Sequence, residues 1–409
     1  MSVQLIHGDC LEVLRGMGDG SCHSCVTDPP YELGFMGKAW DGTGIAYNVN
    51  VWREVLRVLK PGGHLIAFGG SRTYHRLAVA VEDAGFEIRD QGLWLYGSGF
   101  PKSLDVSKAI DRAAGAVRET IGTKDRLDQT KKPAQSFTYS GPMKEQTEAL
   151  GITAPATPDA IKWQGWHTSL KPAHEPFVIA RKPFKSTVAA NVLEHGTGAI
   201  NVDGCRVEVV SGETIHTVKS DPTNRAGVVG TNLGISANDI DSFRAAQAAS
   251  VAKTNTLGRF PANLIHDGSD TIHRALGEES RYFYCAKASR AEREAGLGHL
   301  EPATGAEACD RTEGSAGLDN PRAGAGRTAD HVRNIHPTVK PLSLMRYLVR
   351  LVTPPGGTVL EPFAGSGTTL VACVHEGFDA IGIELTEDYL PIINGRVAHA
   401  EKEKRGRLL

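Results

Sequence analysis

The chain has 409 residues, of which 40% are hydrophobic and 22% charged, and this globular composition excludes a wholly disordered or fibrous protein. The length predicts two or three domains. No run approaches the ~20 apolar residues of a transmembrane helix, and no basic segment followed by an apolar core begins the chain, so we expect no secretory signal. Because the net charge is −2, any nucleic-acid binding must depend on local patches.

The seven cysteines indicate reduced thiols and a cytoplasmic protein, because their number is odd and no signal precedes them. Cys22 and Cys25 form one CxxC, but no second CxxC completes a zinc site. We therefore interpret this pair as part of a strand and predict no metal site.

Strand and helix patterns alternate over residues 1–100 and return over 336–409. In the first segment we predict strands at 3–7, 23–27, 64–68 and 86–97 and helices at 10–17, 49–60 and 73–85. In the last segment we predict helices at 341–352, 369–377 and 387–404 and strands at 358–363 and 378–385. Each segment alone is too short for a full doubly wound sheet, so we expect the two to pair into one parallel α/β sheet.

The middle of the chain lacks this alternation. One apolar strand is predicted at 175–182, and short strands are predicted at 260–267 and 281–287. The rest is polar or glycine-rich, with loops that are long for a compact domain. We therefore expect the middle of the chain to form an inserted, separate lobe.

A glycine-rich turn, FAGSGTT, lies between a predicted strand and a helix, where a ligand can meet a helix N-terminus. It lacks the lysine of a phosphate-binding loop, and Leu370 stands where the dinucleotide fingerprint needs a third glycine. Glu384 ends the next strand, 23 residues after Glu361, and is placed to accept hydrogen bonds from ribose hydroxyls. A ribose-containing ligand is thus predicted, and a plain turn remains the alternative.

A second motif, Asp28-Pro29-Pro30-Tyr31, follows an apolar strand at the edge where α/β sheets place their sites. The prolines stiffen the turn and remove backbone donors, so the turn offers only acceptors. Asp28 and the Pro29 carbonyl could accept from one amino group, while Tyr31 stacks on a planar base. This set suits the exocyclic amine of a flipped nucleobase. A rigid turn with a solvated aspartate is the alternative.

These two motifs, together with further segments in matching order, resemble the amino-group DNA methyltransferases that use S-adenosylmethionine. The catalytic motif precedes the cofactor loop, an order similar to that of the beta class. The resemblance covers roughly 1–100, 171–183 and 336–409. Its segments are HGDCLEVL, TDPPY, LKPGGHLIAFGG, LKPAHEPFVIARK, HPTVKP, LEPFAGSGTT and GIEL.

The resemblance implies a Rossmann-like methyltransferase fold, circularly permuted, with a large inserted target-recognition region. Residues 1–100 would form the catalytic half and 336–409 the cofactor-binding half. Residues 171–183 would return a strand to that domain. We expect 101–170 to contact DNA and 184–335 to recognise the target, although neither insert matches a recognition pattern.

The resemblance also implies roles for single residues. Asp28, Pro29, Pro30 and Tyr31 would hold the target base for direct in-line transfer after base flipping. Asp9 would meet the cofactor's adenine amino group and Glu384 its ribose, with Thr338 and Lys340 near the methionine carboxylate. The remaining cofactor contacts would come from the turn itself: Glu361 (often Asp in relatives), Phe363, Gly365, Ser366, Gly367 and Thr368. A helix N-cap for Asp9 and a surface position for Lys340 stay open as plainer roles.

DNA contact must come from local charge. Residues 101–185 hold fourteen Lys or Arg and nine Asp or Glu, a balance of 14 − 9 = +5. Lys131, Lys132, Arg181 and Lys182 are candidate phosphate contacts, and Trp163 and Trp166 are candidates for stacking or wedging. A solvated loop with core tryptophans is the alternative.

The function that this resemblance implies is adenine-N6 methylation of double-stranded DNA. A serine at the Asp28 position is commoner in cytosine-N4 relatives, so cytosine-N4 methylation is the main alternative. An RNA or small-molecule methyltransferase and a non-catalytic DNA-binding relative also stay open. None of the seven cysteines follows a proline, unlike the nucleophile of carbon-5 cytosine enzymes. The oligomeric state, monomer or homodimer, stays open, as does the existence of a cognate restriction endonuclease as partner.

Overall fold

The computed structural model describes residues 2–34, 39–97, 103–123, 151–208, 256–270, 283–285, 287–303 and 332–406, together with residues 249, 272 and 274. By contacts between residues, the chain divides into two compact units. The larger unit comprises 1–97 and 174–409, and the smaller comprises 98–173.

The strands are β1 (Val3–His7), β2 (Cys22–Thr27), β3 (Leu59–Phe68), β4 (Glu87–Leu95), β5 (Thr120–Thr123), β6 (Gly151–Thr153), β7 (His174–Arg181), β8 (Leu264–His266), β9 (Phe283–Tyr284), β10 (Thr358–Glu361) and β11 (Asp379–Glu384). The helices are α1 (Cys10–Gly16), α2 (Val49–Val58), α3 (Tyr74–Asp83), α4 (Val106–Ala113), α5 (Pro158–Lys162), α6 (Val188–His195), α7 (Arg290–Glu294), α8 (Leu342–Val352), α9 (Thr368–Glu376) and α10 (Leu390–Gly406).

One sheet organises the larger unit, in the order β1-β11-β10-β2-β3-β7-β4-β8-β9. All neighbouring strands are parallel except for β7, which runs antiparallel to both β3 and β4. The first and last segments of the chain therefore meet at the centre, where β2 pairs with β10. This confirms the predicted α/β class and the pairing of the two segments.

Both faces of the sheet are buried, as the apolar strands predict. Val26 and Ile66 point to a core shared with α8 and α9. Their neighbours Cys25 and Leu65 point to the opposite core, which contains α1, α2 and α3. This alternation with period two places helices on both faces and leaves only the strand ends free for a site.

Helix α2 ends earlier than its periodicity predicts. The prediction runs to Lys60, whereas the helix ends at Val58 and β3 begins at Leu59. Pro61 disfavours helical geometry at Lys60, and Leu59 pairs with Cys22 of β2. Sheet pairing therefore extends β3 backwards through the Pro-Gly-Gly segment.

The organisation of the middle of the chain differs from the expectation of one separate lobe. The boundaries of the smaller unit, 98–173, nearly coincide with those of the predicted insert, 101–170. In contrast, the described parts of 184–335 belong to the larger unit, because β8 and β9 extend its sheet beyond β4. Short strands can join a sheet edge when their apolar residues are covered there, and Ile265 is buried.

Two further observations concern the described part of the chain. Six cysteines are buried and carry free thiols there, and Cys22 and Cys25 lie within β2, as predicted. Within the same ranges, no helix combines the length and the apolar character needed to cross a bilayer.

Candidate active site

The carboxyl ends of β2 and β10 lie side by side and bring the two sequence motifs together. Asp28 follows the last residue of β2, and the FAGSGTT turn leaves β10. Since Leu360 pairs with Cys25, both strands end at the same edge of the sheet. That edge is where open α/β sheets form their sites.

Asp28 is held through one of its two carboxylate oxygens. Oδ2 accepts a hydrogen bond from Lys340 Nζ at 2.7 Å. Oδ1 is inaccessible to solvent and has no hydrogen-bond partner among the residues that the structure describes. A buried acceptor without a donor costs free energy, on the order of 1–3 kcal/mol. Such an atom is a candidate acceptor for a substrate N–H group.

Lys340 is the centre of a partly buried polar cluster that also contains Tyr31 and Glu175. Its ammonium group lies 3.1 Å from Glu175 Oε2 and 3.0 Å from the Tyr31 hydroxyl. Tyr31 donates its own proton to Glu175 Oε2 at 3.0 Å. The Phe68 ring lies under the ammonium, 4.8 Å from it, so the cluster is partly enclosed by aromatic surface.

The charges in this cluster shift one another. Burial raises the pKa of Asp28, with Lys340 opposing and Glu175 reinforcing the shift. Burial would raise the pKa of Glu175 too, but the Lys340 charge and its hydrogen bonds lower it overall. Burial would lower the pKa of Lys340, yet the two carboxylates raise it. Lys340 and Glu175 are therefore ionised at neutral pH.

The backbone after Tyr31 is held in a conformation that side chains rarely adopt. Glu32 has φ +55°, and its amide donates to Asp41 Oδ1 at 2.8 Å. The Thr73 hydroxyl donates to the Tyr31 carbonyl at 2.9 Å. Strain of this kind persists only where surrounding contacts over-determine it, so the position of the DPPY motif is fixed from several sides.

In the glycine turn, conformation and close packing both require glycine. Gly365 has φ +54°, and a Cβ there would lie 2.9 Å from His336 Nε2. Gly367 has φ +76°, and a Cβ there would lie 2.9 Å from Ile393 Cγ2. The neighbours that crowd these positions are protein side chains. A bulky residue at Gly365 would therefore distort the turn as well as obstruct a ligand.

Glu361 lies beneath this turn, with both carboxylate oxygens engaged. Oε1 accepts from the Thr27 hydroxyl, and from the Phe363 amide at 3.1 Å. Oε2 accepts from the Thr369 hydroxyl at 2.6 Å. Burial raises the pKa of Glu361 to about 8. These bonds support the turn and link it to β2, while a direct cofactor contact stays a prediction.

Two more carboxylates lie at the ends of β11 and β1, which are neighbouring strands. Glu384 Oε2 accepts from the Gly365 amide at 2.7 Å and Oε1 from the Thr386 amide at 2.8 Å. Asp9 is the N-cap of α1, because its Oδ1 accepts from the amides of Leu11 and Glu12. The plainer role of Asp9 is thus present, and its predicted contact with an adenine amine stays a prediction.

The second half of the turn is tied to the last helix. Arg396 of α10 is buried, and its guanidinium donates to the Ser366 carbonyl at 2.5 Å and to the Thr368 hydroxyl at 3.0 Å. The Ser366 and Thr368 hydroxyls lie 3.2 Å apart. Burial lowers the pKa of Arg396 to about 10. Arg396 therefore stays charged at neutral pH and holds this part of the turn in place.

The HPTVKP segment contacts both motifs. The His336 ring lies against Gly365 and meets the Tyr389 ring edge-on at 4.7 Å between centroids. Lys340, four residues later, reaches Asp28, while the Thr338 side chain is exposed. Burial lowers the pKa of His336 to about 4, so the ring is neutral. Predicted contacts of Thr338 and Lys340 with a methionine carboxylate stay predictions.

The structure places Arg181 and Lys182 away from this edge, and their predicted role as phosphate contacts stays a prediction. They follow Glu175 by six and seven residues along β7, which at ~3.3 Å per residue places them roughly 20 Å away. Arg181 pairs with Glu87 at 2.6 Å. Lys182 donates to backbone carbonyls, including that of Leu59 at 2.6 Å. Both cations are thus engaged within the protein.

The predicted tryptophans lie in the smaller unit. The Trp163 and Trp166 rings meet edge-on, 5.2 Å between centroids. Their exposed fractions of 38% and 61% exclude a core position for either side chain. Stacking or wedging against DNA stays a prediction. Lys131 and Lys132 lie outside the described residues.

Sequence reasoning missed two residues of the site. Glu175 is the second residue of β7, but its place at the site follows from the antiparallel direction of that strand, which apolar periodicity does not encode. Arg396 lies on the buried stripe of α10, three residues after Ile393 and four before Ala400. A charged residue on an apolar stripe was the available signal for Arg396.

Comparison with a family model gives an extensive match. A model described as DNA methylase, of the N6/N4 methyltransferase type, matches residues 22–199 and 265–395. These two ranges make up more than half of the chain. They contain β2 with its DPPY motif, β7 with Glu175, and β10 with the glycine turn.

Several curated proteins are similar over part of their length. The Type II methyltransferase M.HindIII of Haemophilus influenzae is 26% identical over 239 residues, which cover 48% of this chain and 64% of that protein. The Type II methyltransferase M.ScaI of Streptomyces caespitosus is 38% identical over 65 residues, 16% of this chain and 21% of that protein. DNA adenine methyltransferase YhdJ of Escherichia coli is 42% identical over 55 residues, 13% and 19% respectively. The chain thus spans between 19% and 64% of the length of these relatives.

Solved structures are similar across nearly the whole chain, at low identity. PvuII DNA methyltransferase (cytosine-N4-specific) is 13% identical, and the match covers 97% of this chain and 86% of that one, with a TM-score of 0.44. An M1.HpyAVI–SAM complex is 14% identical, covers 97% and 98%, and has a TM-score of 0.39. Neither value supports a residue-by-residue comparison.

Proposed function

Because the chain belongs to the N6/N4 DNA methylase family, we propose that it is a site-specific DNA methyltransferase acting on the exocyclic N6 of adenine, with S-adenosylmethionine as methyl donor. The observation that carries this proposal is the buried, unpartnered Oδ1 of Asp28 beside the glycine turn. That oxygen can accept one hydrogen of a flipped base's amino group. Relatives named Type II methyltransferases support action at a specific DNA sequence.

The chain's own groups fit the proposed methyl donor. Glu384 and Asp9 end neighbouring strands beside the turn and present carboxylate oxygens, which suit ribose hydroxyls and an adenine amine. The Gly365 amide donates to Glu384 Oε2 at 2.7 Å and so ties the turn to one of these carboxylates. When bound, S-adenosylmethionine supplies a methyl group on a positively charged sulfur. These residues would hold it at the edge where Asp28 lies.

Asp28 then acts on the target amine. Accepting a hydrogen bond through Oδ1 draws the nitrogen lone pair out of conjugation with the ring and stabilises the positive charge that develops there. Lys340 fixes the other oxygen of the carboxylate, so that Oδ1 keeps one orientation. Tyr31 would stack on the base and hold it in line with the methyl group.

This role requires the ionised form of Asp28. Its pKa is raised by burial, so the carboxylate protonates at a higher pH than an exposed aspartate. Methyl transfer should therefore decline as the pH falls through that raised pKa, because a protonated Oδ1 no longer accepts with a full charge. The decline forms the acidic limb of the rate profile.

The test is transfer of a labelled methyl group to unmethylated DNA, followed by mass spectrometry of the nucleosides. We expect N6-methyladenine from the wild type. Asp28→Asn and Asp28→Ala should each lower the single-turnover rate by about 10²-fold or more, with cofactor affinity nearly unchanged by calorimetry. Asp83→Asn, which alters an exposed aspartate at the end of α3, serves as the matched control.

Each alternative has its own outcome in this experiment. N4-methylcytosine as the product would move the activity to the second amine that the family acts on. The DPPY motif and the name of the relative YhdJ favour adenine. Transfer by Asp28→Ala at the wild-type rate would exclude the carboxylate from the reaction. The absence of any methylated nucleoside with the wild type would refute the activity itself.

A further inference from the structure

The least explained feature of the site is its charge arrangement. One cation, Lys340, is shared by two carboxylates, those of Asp28 and Glu175, at 2.7 and 3.1 Å. Asp28 alone would neutralise Lys340. The second carboxylate comes from β7, a strand that contributes nothing else to the proposed chemistry.

We propose that Glu175 is a positioning residue for methyl transfer: it holds the Lys340 ammonium and Tyr31 in place and balances the lysine charge, so that Asp28, Glu175 and Lys340 together present a net negative charge to the substrate amine. This inference rests on the proposed function and assigns a residue to that same site. Glu175 does not itself touch the reacting atoms in this account.

Geometry supports the positioning part. Glu175 Oε2 accepts from the Tyr31 hydroxyl at 3.0 Å and lies 3.1 Å from Lys340 Nζ. Both partners are thereby anchored to β7, whose residue Phe177 pairs with Phe68 at the end of β3. Without this anchor, the long side chain of Lys340 could lie on either oxygen of Asp28. Oδ1 would then no longer be reserved for the amine.

Charge balance supports the second part. Asp28, Glu175 and Lys340 together carry a charge of −1 when all three are ionised. Loss of the Glu175 charge would leave a neutral Asp28–Lys340 pair. The target amine gains positive charge during transfer, and a neutral pair stabilises that charge less than a net anion does. Enclosure by the Phe68 and Tyr31 rings makes the difference larger than it would be in water.

In the part of the chain that the structure describes, further charged and titratable side chains act on this cluster. Lys287 lies over the Tyr96 ring, 3.7 Å from its centroid, and its charge acts on Glu175. Glu361, on β10, carries a charge that interacts with Asp28 when it is ionised. Tyr31 and Tyr96 stay neutral, because burial raises both of their pKa values. Removal of the Glu175 charge therefore leaves Lys340 as the main charge that acts on the pKa of Asp28.

The test uses Glu175→Gln, whose amide oxygen can still accept from Tyr31 and Lys340 while the charge is lost. We expect its single-turnover methyl-transfer rate to fall about tenfold to a hundredfold. The acidic limb of its rate profile should move to lower pH, because Asp28 loses a repelling neighbour. Lys340→Met should move that limb to higher pH, because Asp28 loses its attracting partner. In Glu175→Gln/Lys340→Met the net charge returns to −1, and we expect a faster rate than in Glu175→Gln alone.

Glu87→Gln is the matched control, because it removes a carboxylate bonded to Arg181 in the same sheet but at the opposite edge. Its rate and acidic limb should equal those of the wild type. An unchanged rate in Glu175→Gln, or a slow variant whose acidic limb stays at the wild-type pH, would overturn the proposal. A purely structural role would slow transfer without moving that limb.

A measurement that needs no turnover separates this inference from the proposed function. Carbon-13 NMR of protein labelled at the aspartate carboxyl carbons reports the pKa of Asp28, and Asp28→Asn identifies its resonance. Glu175→Gln should lower that pKa and Lys340→Met should raise it. If the wild type methylates no DNA, the proposed function fails while the NMR titration still tests the coupling. An unaltered Asp28 pKa in both variants would refute it.

Discussion

At the scale of single residues, the carboxyl group of Glu361 is protonated in the folded protein at neutral pH. Burial raises its pKa to about 8, and the Thr27 and Thr369 hydroxyls only partly offset this shift. An unfolded chain would have the ordinary value of 4.5. Glu361 therefore binds more protons in the folded state than in the unfolded state between these two values, and its contribution to stability falls as the pH rises through that window.

We expect the free energy of unfolding of Glu361→Gln to rise relative to that of the wild type by a few kcal/mol between about pH 5 and about pH 8, and the difference then to level off. The glutamine keeps the shape of the side chain but cannot ionise, and its amide nitrogen donates a hydrogen bond where a carboxylate oxygen accepts one. Chemical unfolding at a series of pH values measures both curves. Glu376→Gln is the comparison, because Arg350 and Arg346 lower the pKa of that carboxyl. Equal slopes in wild type and Glu361→Gln would contradict the assignment.

At the scale of elements, two segments hold the glycine turn from outside. His336 of the HPTVKP segment packs on Gly365, and Arg396 of α10 bonds the backbone at Ser366. The turn itself therefore has little freedom, and its glycines are required by the protein's own packing.

Gly365→Ala should lower the free energy of unfolding by roughly 1–3 kcal/mol, because it combines a left-handed backbone with a clash against His336. In a His336→Ala background the penalty should shrink toward the backbone cost alone. Gly196→Ala is the matched control: it has φ +74° at the end of α6, and a Cβ there meets nothing within 4 Å. Denaturant unfolding measures the wild type, the three single variants and the double variant. Equal losses of unfolding free energy in Gly365→Ala and Gly196→Ala would mean that the His336 contact does not contribute.

At the scale of the whole molecule, residues 98–173 form a compact unit of their own. Its described core includes a buried aspartate, Asp111, which pairs with Arg118 at 2.7 Å and accepts from the amide of Thr157 at 3.0 Å. The unit thus has a defined internal structure, and it presents the exposed Trp163–Trp166 pair. We keep it as the leading candidate for DNA contact.

Trp166→Ala should weaken binding to DNA by roughly tenfold, within the 1–3 kcal/mol typical of one stacked base. Affinity for S-adenosylmethionine should not change, because the residues predicted to bind the cofactor belong to the larger unit. Fluorescence anisotropy with duplex DNA at fixed salt and calorimetry with the cofactor measure the two quantities. Val117→Ala removes another exposed apolar side chain of the same unit and should leave both affinities unchanged. Undiminished DNA affinity in Trp166→Ala would remove the pair from the DNA surface.

The α/β class, most strands and helices of the sheet, and the meeting of the two motifs can be predicted from the amino-acid sequence alone. Apolar periodicity shows which segments are buried, and glycine and proline mark their ends. Parallel strands with such ends must bring Asp28 and the glycine turn to one edge. Those inferences need only local pattern and one general rule of α/β sheets.

Which side chains complete the site depends on the tertiary structure. Lys340 and Asp28 are 312 positions apart in the chain, and Glu175 reaches them because β7 runs antiparallel between β3 and β4. The same direction carries Arg181 away from the site to Glu87. Strand order and direction are set by the packing of the whole sheet, and apolar periodicity is the same for either direction. A contact between distant side chains therefore depends on information that no local segment contains.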